Sequence, residues 1–289
     1  MIKIKTPATS ANLSVGFDTV GMAFNLYNTF LFNESKAHKL NGFKALHTND
    51  SNLVLSSYMA FALKYLSKHL IKKVEITLLE KNIPSSRGLG SSASCILAGV
   101  LGSNHINKLN IPFKTCVDFA CELEGHNDNI YACAYGSLTA SLNDGDNYIH
   151  QTYDVSDKLY FNLLVSNQEG STKALRNILP KKVDLGDAVY NLSRVIFLPD
   201  AFKTGDFKLM KSVLKDKLHE QYRRPYMALY KDLVELSKRD DLIVSISGSG
   251  PSVLLISNSS HIVMPAGLNH DYKKIEVKVS QGVGIEVIE

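Results

Sequence analysis

The stretch Ile83–Ser94, IPSSRGLGSSAS, sets Gly88 and Gly90 among five serines. It lies between an alternating apolar segment and a run of small residues, the setting of a strand-to-helix turn. Free N–H groups and about half a positive charge gather at a helix N-terminus, which suits phosphate oxygens. The glycines let the main chain come close, and the hydroxyls of Ser91 and Ser92 suit phosphate or Mg2+, which prefers oxygen ligands. The lysine of the commonest phosphate loop, G-x-x-x-x-G-K-[ST], is absent, because Ser91 follows Gly90. From composition alone, a simple turn with a serine N-cap is an equal alternative.

Other polar clusters could complete a site. Asn12 and Asp18 stand six apart and can offer an amide and an acceptor, or merely cap local turns. Thr172 and Arg176 share one helix face at i, i+4. Arg223 and Arg224 are adjacent, and the planar fork of arginine binds both oxygens of a carboxylate, although a lone arginine is ordinarily a solvated charge. Glu124 precedes the turn GHNDN and can hold Mg2+ together with Ser92, whereas Glu122 should face away. Asp128 suggests a base, but phosphoryl transfer depends chiefly on positioning and charge neutralisation, and the residues leave its role open.

The elements that must position these groups alternate in type. MIKIKTPA is a strand pattern ended by Pro7, ATSANLSVGFDTVGMAF an ordered irregular loop, and FNLYNTFLF a strand. SNLVLSSYMAFALKYLSKHL has helical spacing with Ser51 as N-cap, and KKVEITLLEKNIP is the strand that enters the glycine loop. Helices follow over SSASCILAGVLGSNHINKLN and Phe113–Glu124, then a strand over AYGSLTASL. Beyond about Gly145 the pattern restarts. It gives a strand KLYFNLLVS, a short helix opened by Ser171 or Thr172, a longer helix LGDAVYNLSRVIFLPDAF, two strands around a Gly-Ser turn, and a closing alternating segment. The class is α+β, with domains expected over 1–150 and 151–289.

Bulk properties narrow the function. A net charge of +4 over 289 residues, without a basic block, argues against nucleic acid. No apolar run reaches the length of about 18 residues needed to span a bilayer, and MIKIKTPATS lacks a signal-peptide core. Cys95, Cys116, Cys121 and Cys133 have no C-x-x-C spacing, so buried free thiols in a cytoplasmic protein are expected.

Three segments together carry a resemblance. Pro84–Ala93, PSSRGLGSSA, looks like the nucleotide loop of the GHMP kinases; PATSANLSVGFD (Pro7–Asp18) resembles their first motif and SGSGPSVLLI (Ser247–Ile256) their third. Within that family, PATSANLSVGFD and EGHNDN (Glu124–Asn129) are similar to the branch that phosphorylates homoserine. The resemblance implies a two-domain GHMP kinase fold. Its N-terminal domain would be like ribosomal protein S5 domain 2, with a left-handed βαβ unit against the usual preference, and its C-terminal domain ferredoxin-like, the site lying in the cleft between.

It further implies ATP and Mg2+ as cofactors and L-homoserine as substrate. The nucleotide would bind Pro84, Ser85, Ser86, Arg87, Gly88, Leu89, Gly90, Ser91, Ser92, Ala93 and Ser94. Ser92 and Glu124 would hold the metal and, with Asn129, serve catalysis, while Asp128 is structural. Asn12, Asp18, His126, Thr172, Arg176, Arg223 and Gly250 would line the substrate site, with Arg224 an alternative in register to Arg223. A homodimer is expected, with no nucleic-acid or membrane partner. Ser14 and Ser86 depart from the family by standing where glycine is usual. Another small-molecule kinase such as mevalonate kinase, or a catalytically silent sensor, is the alternative reading.

Overall fold

The structure, a computed structural model, describes residues 1–45, 48–49, 51–145, 147–228, 230–262 and 271–288. Strand β1 (Ile2–Asn12) does not end at Pro7. Its register against β2 (Gly16–Glu34) shifts between Pro7 and Ala8, an irregularity that lets a residue without an N–H remain in a strand. The stretch expected as an irregular loop is therefore a long hairpin that reverses through Leu13, Ser14 and Val15.

Strands β3 (Lys39–Asn41), β4 (Val74–Lys81), β5 (Leu138–Asn143) and β6 (Tyr148–Tyr153) join this hairpin, and the last strand, β11 (Gly284–Val287), returns to pair with β1. Among the described residues, only β3 and β4 pair in parallel in this seven-stranded sheet. Helices α1 (Leu53–Tyr65), α2 (Ser91–Ile106), α3 (Phe113–Glu124) and α4 (Asp128–Tyr135) share one core with it, built around Phe30, Phe32, Phe61 and Leu97. The N-cap of α1 is Asn52, which accepts from the N–H groups of Val54 and Leu55; the expected Ser51 lies one residue too early. Helix α4 is absent from the sequence reading. It follows directly on the GHNDN turn, and Ile130 to Ala134 are all buried, so no polar stripe marks it.

The second sheet contains β7 (Tyr160–Ser166), β8 (Leu242–Ile246), β9 (Val253–Ser257) and β10 (Tyr272–Val277) in the order β10-β7-β9-β8. All neighbours are antiparallel, the 4-1-3-2 arrangement of a ferredoxin-like unit. Helices α5 (Thr172–Asn177), α6 (Leu185–Val195), α7 (Leu198–Thr204), α8 (Phe207–Val213), α9 (Glu220–Arg223) and α10 (Tyr230–Ser237) connect β7 to β8. The single long helix expected after residue 185 is two, because Pro199 opens α7 and cannot continue α6.

A second core joins the sheets: Met22 and Phe24 pack with Phe161, Leu163, Phe202 and Leu254. Residue 150 falls inside β6, which stays with the first sheet. Among the described residues, no helix is long and apolar enough to cross a membrane. The four cysteines are free, with Cys116, Cys121 and Cys133 buried.

Candidate active site

The glycine loop leaves β4 and enters α2 through Gly90, whose φ is +65°. A Cβ there would lie 1.9 Å from the hydroxyl of Thr9, so both conformation and space demand glycine. Gly88, also at positive φ, packs against the main-chain oxygens of Ser247 and Gly250 in the β8–β9 turn. Ser247 Oγ donates to Gly88 O at 2.7 Å, and Thr9 N donates to Leu89 O at 3.2 Å. The three sequence motifs thus interlock, and the N-terminus of α2 faces a cleft of about 920 Å³.

Ser85 to Ser92 line that cleft, together with Glu124, His126, Asn129 and Thr172. Pro84, Ala93 and Ser94 do not; Ala93 and Ser94 turn into the interior, where Ser94 Oγ lies 2.7 Å from Thr6 Oγ1. Arg87 spends its guanidinium on the carbonyls of Ser166, Asn167 and Ser85, tying the loop to the second sheet. Ser86 adopts φ +56°, the left-handed conformation that glycine reaches without strain, and its carbonyl accepts from Gly170 N at 2.8 Å. Ser14 is likewise left-handed at +58°, but its hydroxyl donates to buried Glu220 at 2.9 Å.

At the α2 N-terminus, Ser92 Oγ donates to Glu124 Oε2 at 2.6 Å. Burial pushes the Glu124 carboxyl above its usual range; Asp128 adds to this, while the Ser92 bond and His126 oppose it. Two oxygens so close, one on a carboxylate short of compensating charge, form an oxygen donor pair of the kind Mg2+ accepts. Glu122 points away and pairs with Lys64.

Asn129 is held on both sides, accepting from Thr9 Oγ1 at 2.7 Å and donating to Asp128 Oδ1 at 3.2 Å. Asp128 is buried behind it, outside the cleft lining, and its pKa is raised, chiefly by burial. His126 lies at the cleft with Nδ1 3.9 Å from Asp128.

A charged cluster adjoins this end. Asp18 takes Arg176 through two 2.8 Å hydrogen bonds. Asn12 orders it, accepting from Asp18 N through Oδ1 and donating to Gly248 O through Nδ2. Arg223 is almost fully buried, at 2% exposure, with its guanidinium over the Phe17 ring. Arg224, the alternative to Arg223, pairs with Glu220 at 2.6 Å and lies outside the cleft lining. Thr172 lines the cleft and accepts from Ser249 Oγ at 3.3 Å. Gly250 does not line the cleft: it is buried near Ile246 and Met227, and the half-buried Ser249 takes the lining place in the turn.

Several lining residues escaped the sequence reading, among them Lys44, Lys81 and Asn52. Lys81, the last residue of β4 before the loop, carried a usable signal, as did Thr9 inside the first motif. Lys44 and Asn52 reach the cleft only through packing.

Comparison with known proteins agrees with this geometry. Residues 52–137 match the profile of the GHMP kinases N terminal domain. A homoserine kinase of Clostridium beijerinckii is 34% identical over 261 residues, 89% of this chain and 86% of that protein. One of Clostridium botulinum is 35% identical over 259 residues, with the same coverage of 89% and 86%. The crystal structure of homoserine kinase from Cytophaga hutchinsonii superposes with a TM-score of 0.81 at 27% identity, covering 99% of this chain and 97% of that one.

Proposed function

The chain belongs to the homoserine kinases of the GHMP kinase family, and on that premise we propose how its cleft transfers phosphate from ATP to the hydroxyl of L-homoserine. The observation that carries the reading is a cleft lined by an anion-binding helix N-terminus and the Ser92–Glu124 oxygen pair, with the Asp18–Arg176 pair outside that lining but tied to it through Asn12 and Gly248.

The amides at the start of α2 receive the ATP phosphates, which Gly88 and Gly90 allow to approach closely. Ser92 and Glu124 would hold Mg2+, which neutralises phosphate charge when bound. Arg176 takes the homoserine carboxylate, with Arg223 behind it, and Asp18 takes the ammonium. Asn129, immobilised by Thr9 and Asp128, orients the hydroxyl oxygen toward the γ-phosphorus. That oxygen bonds to phosphorus as the bond to the departing ADP oxygen breaks, and the hydroxyl proton passes to an oxygen of the transferred phosphoryl group. Asp128 is too enclosed to reach the hydroxyl, so we read the attack as direct, driven by alignment and charge neutralisation. Mevalonate lacks an ammonium and would leave Asp18 unmatched. A silent sensor would have no use for the Ser92–Glu124 pair.

A coupled assay of ADP release with a panel of alcohols tests the reading. L-homoserine should give turnover; turnover with mevalonate or a sugar and none with homoserine would overturn it.

We also propose that a second copy of this chain covers α6. Leu185, Val189, Leu192 and Ile196 form one stripe, exposed by 79, 53, 62 and 72%. The helix instead turns Asn191 inward, toward Val15 O and Asp216. Val183 and Phe197, which flank the helix, are exposed by 47 and 51%. Free thiols and dependence on ATP support a cytoplasmic setting.

A further inference from the structure

His219 has no exposed surface and lies against the reversal of the β1–β2 hairpin. Its ring stacks on Phe17 with centroids 5.0 Å apart. Nε2 is 2.7 Å from Ser14 O, and Nδ1 is 3.0 Å from Arg223 Nη1. A carbonyl oxygen only accepts, and a guanidinium only donates. Nε2 must therefore carry the hydrogen and Nδ1 must be bare. Only this neutral tautomer satisfies both contacts, because the protonated ring would turn an N–H toward a cation.

Arg223 relies on that acceptor. Its Nη1 also donates to Gly248 O at 3.3 Å and its Nε to Leu175 O at 3.3 Å, so the contact with His219 is the shortest of the three. Among the described residues, Nη2 has no protein acceptor.

We infer that His219 is a positioning residue for substrate recognition. As the Nε2–H tautomer it ties the turn that carries Asn12 and Asp18 to Arg223, so the groups for the two ends of homoserine are set as one unit. The inference rests on Arg223 serving the substrate carboxylate. It also explains Ser14: the left-handed turn aims its carbonyl at His219 while its hydroxyl reaches Glu220.

The arrangement is proton-sensitive. Burial lowers the His219 pKa below the ordinary value of about 6.5. Asp216 and Glu220 pull it back up, as does the bond to Ser14 O, and Arg223 lowers it further. Asp216 Oδ2 is 3.9 Å away, and Glu220 is itself taken by Arg224. From the hairpin turn, Ser14 O and the Phe17 ring face the imidazole, with Arg176 near that ring and paired to Asp18. The neutral ring persists at neutral pH. As pH falls through the lowered pKa, Nδ1 gains a proton and homoserine binding weakens.

Two substitutions separate the ring nitrogens. The His219→Asn side chain can place an acceptor near Nδ1, whereas His219→Gln reaches the position of Nε2 and offers none to Arg223; neither titrates. His219→Gln should raise the homoserine KM on the order of tenfold, the scale of a hydrogen bond to a charged group, and leave the ATP KM within about twofold. His219→Asn should keep the homoserine KM near wild type and abolish its rise at acid pH. Equal effects of the two substitutions, or an equal rise in the ATP KM, would reduce His219 to packing and overturn the inference. If a variant fails to fold, the wild-type pH profile still decides: an acid rise in the homoserine KM without one in the ATP KM supports the inference, and its absence overturns it. Arg223→Ala with an unchanged homoserine KM would overturn the reading of Arg223 itself. Where Arg223→Ala raises that KM, His219→Gln should add nothing further to it.

Discussion

Arg176 and Asp18 hold each other by two 2.8 Å hydrogen bonds across a separation of 158 positions in the chain. Homoserine carries the same two charges, so binding it exchanges this pair for two pairs with the substrate. Arg176→Ala should raise the homoserine KM about 10- to 100-fold with little change in kcat, because the contact serves ground and transition states alike. 4-Hydroxybutyrate, which lacks the ammonium, should be a far poorer substrate. Steady-state kinetics with both alcohols checks this, and an unchanged KM removes Arg176 from the site.

Glu124→Gln should abolish turnover yet stabilise the metal-free protein near pH 8. With a folded pKa above the unfolded value of about 4.3, the charged carboxylate penalises the fold at high pH. The penalty vanishes as pH falls through the raised pKa toward the unfolded one. Melting curves without metal should show the variant ahead at pH 8 and the gap closing near pH 4.5. A variant less stable at both would contradict it.

Gly90→Ala should cost at least about 2 kcal/mol, from left-handed strain and collision with Thr9. Thr9→Ala in the same chain should recover part of the loss by removing the hydroxyl at 1.9 Å, although not the strain. Urea denaturation of the single and double variants measures the coupling.

The two left-handed serines should behave differently when replaced by glycine. Ser86→Gly relieves about 1 kcal/mol of strain and adds a similar unfolded-state entropy, so stability should stay within about 0.5 kcal/mol. Ser14→Gly gains the same relief but loses the bond to buried Glu220, a net loss of about 1 kcal/mol. Chemical denaturation separates them.

Leu192→Asp, in the middle of the α6 stripe, should shift the protein to a monomer in light scattering while leaving it folded, because the side chain is 62% exposed to solvent in one copy. A wild-type monomer at high concentration would refute the pairing.

Much of this was legible in the residues. Ile83–Ser94 declares its turn because glycines at 88 and 90 permit conformations other residues resist, and the phosphate-binding part is local to that turn and the helix it starts. Glu124 was legible because it directly precedes the GHNDN turn, although its meeting with Ser92 across 32 positions joins two different helices. The hairpin through Pro7 and the buried helix α4 were not legible. In the first, pairing partners override a proline signal; in the second, burial on all sides erases the period that reveals a helix. Tertiary structure alone decided that Gly250 turns inward and Ser249 lines the cleft, and that Arg224 belongs to Glu220. It also decided that His219 faces Arg223 as an acceptor. A sequence states which donors and acceptors exist, and local geometry places those within a turn or a helix. Which of them meet across 158 or 205 positions depends on how two sheets pack around a shared core.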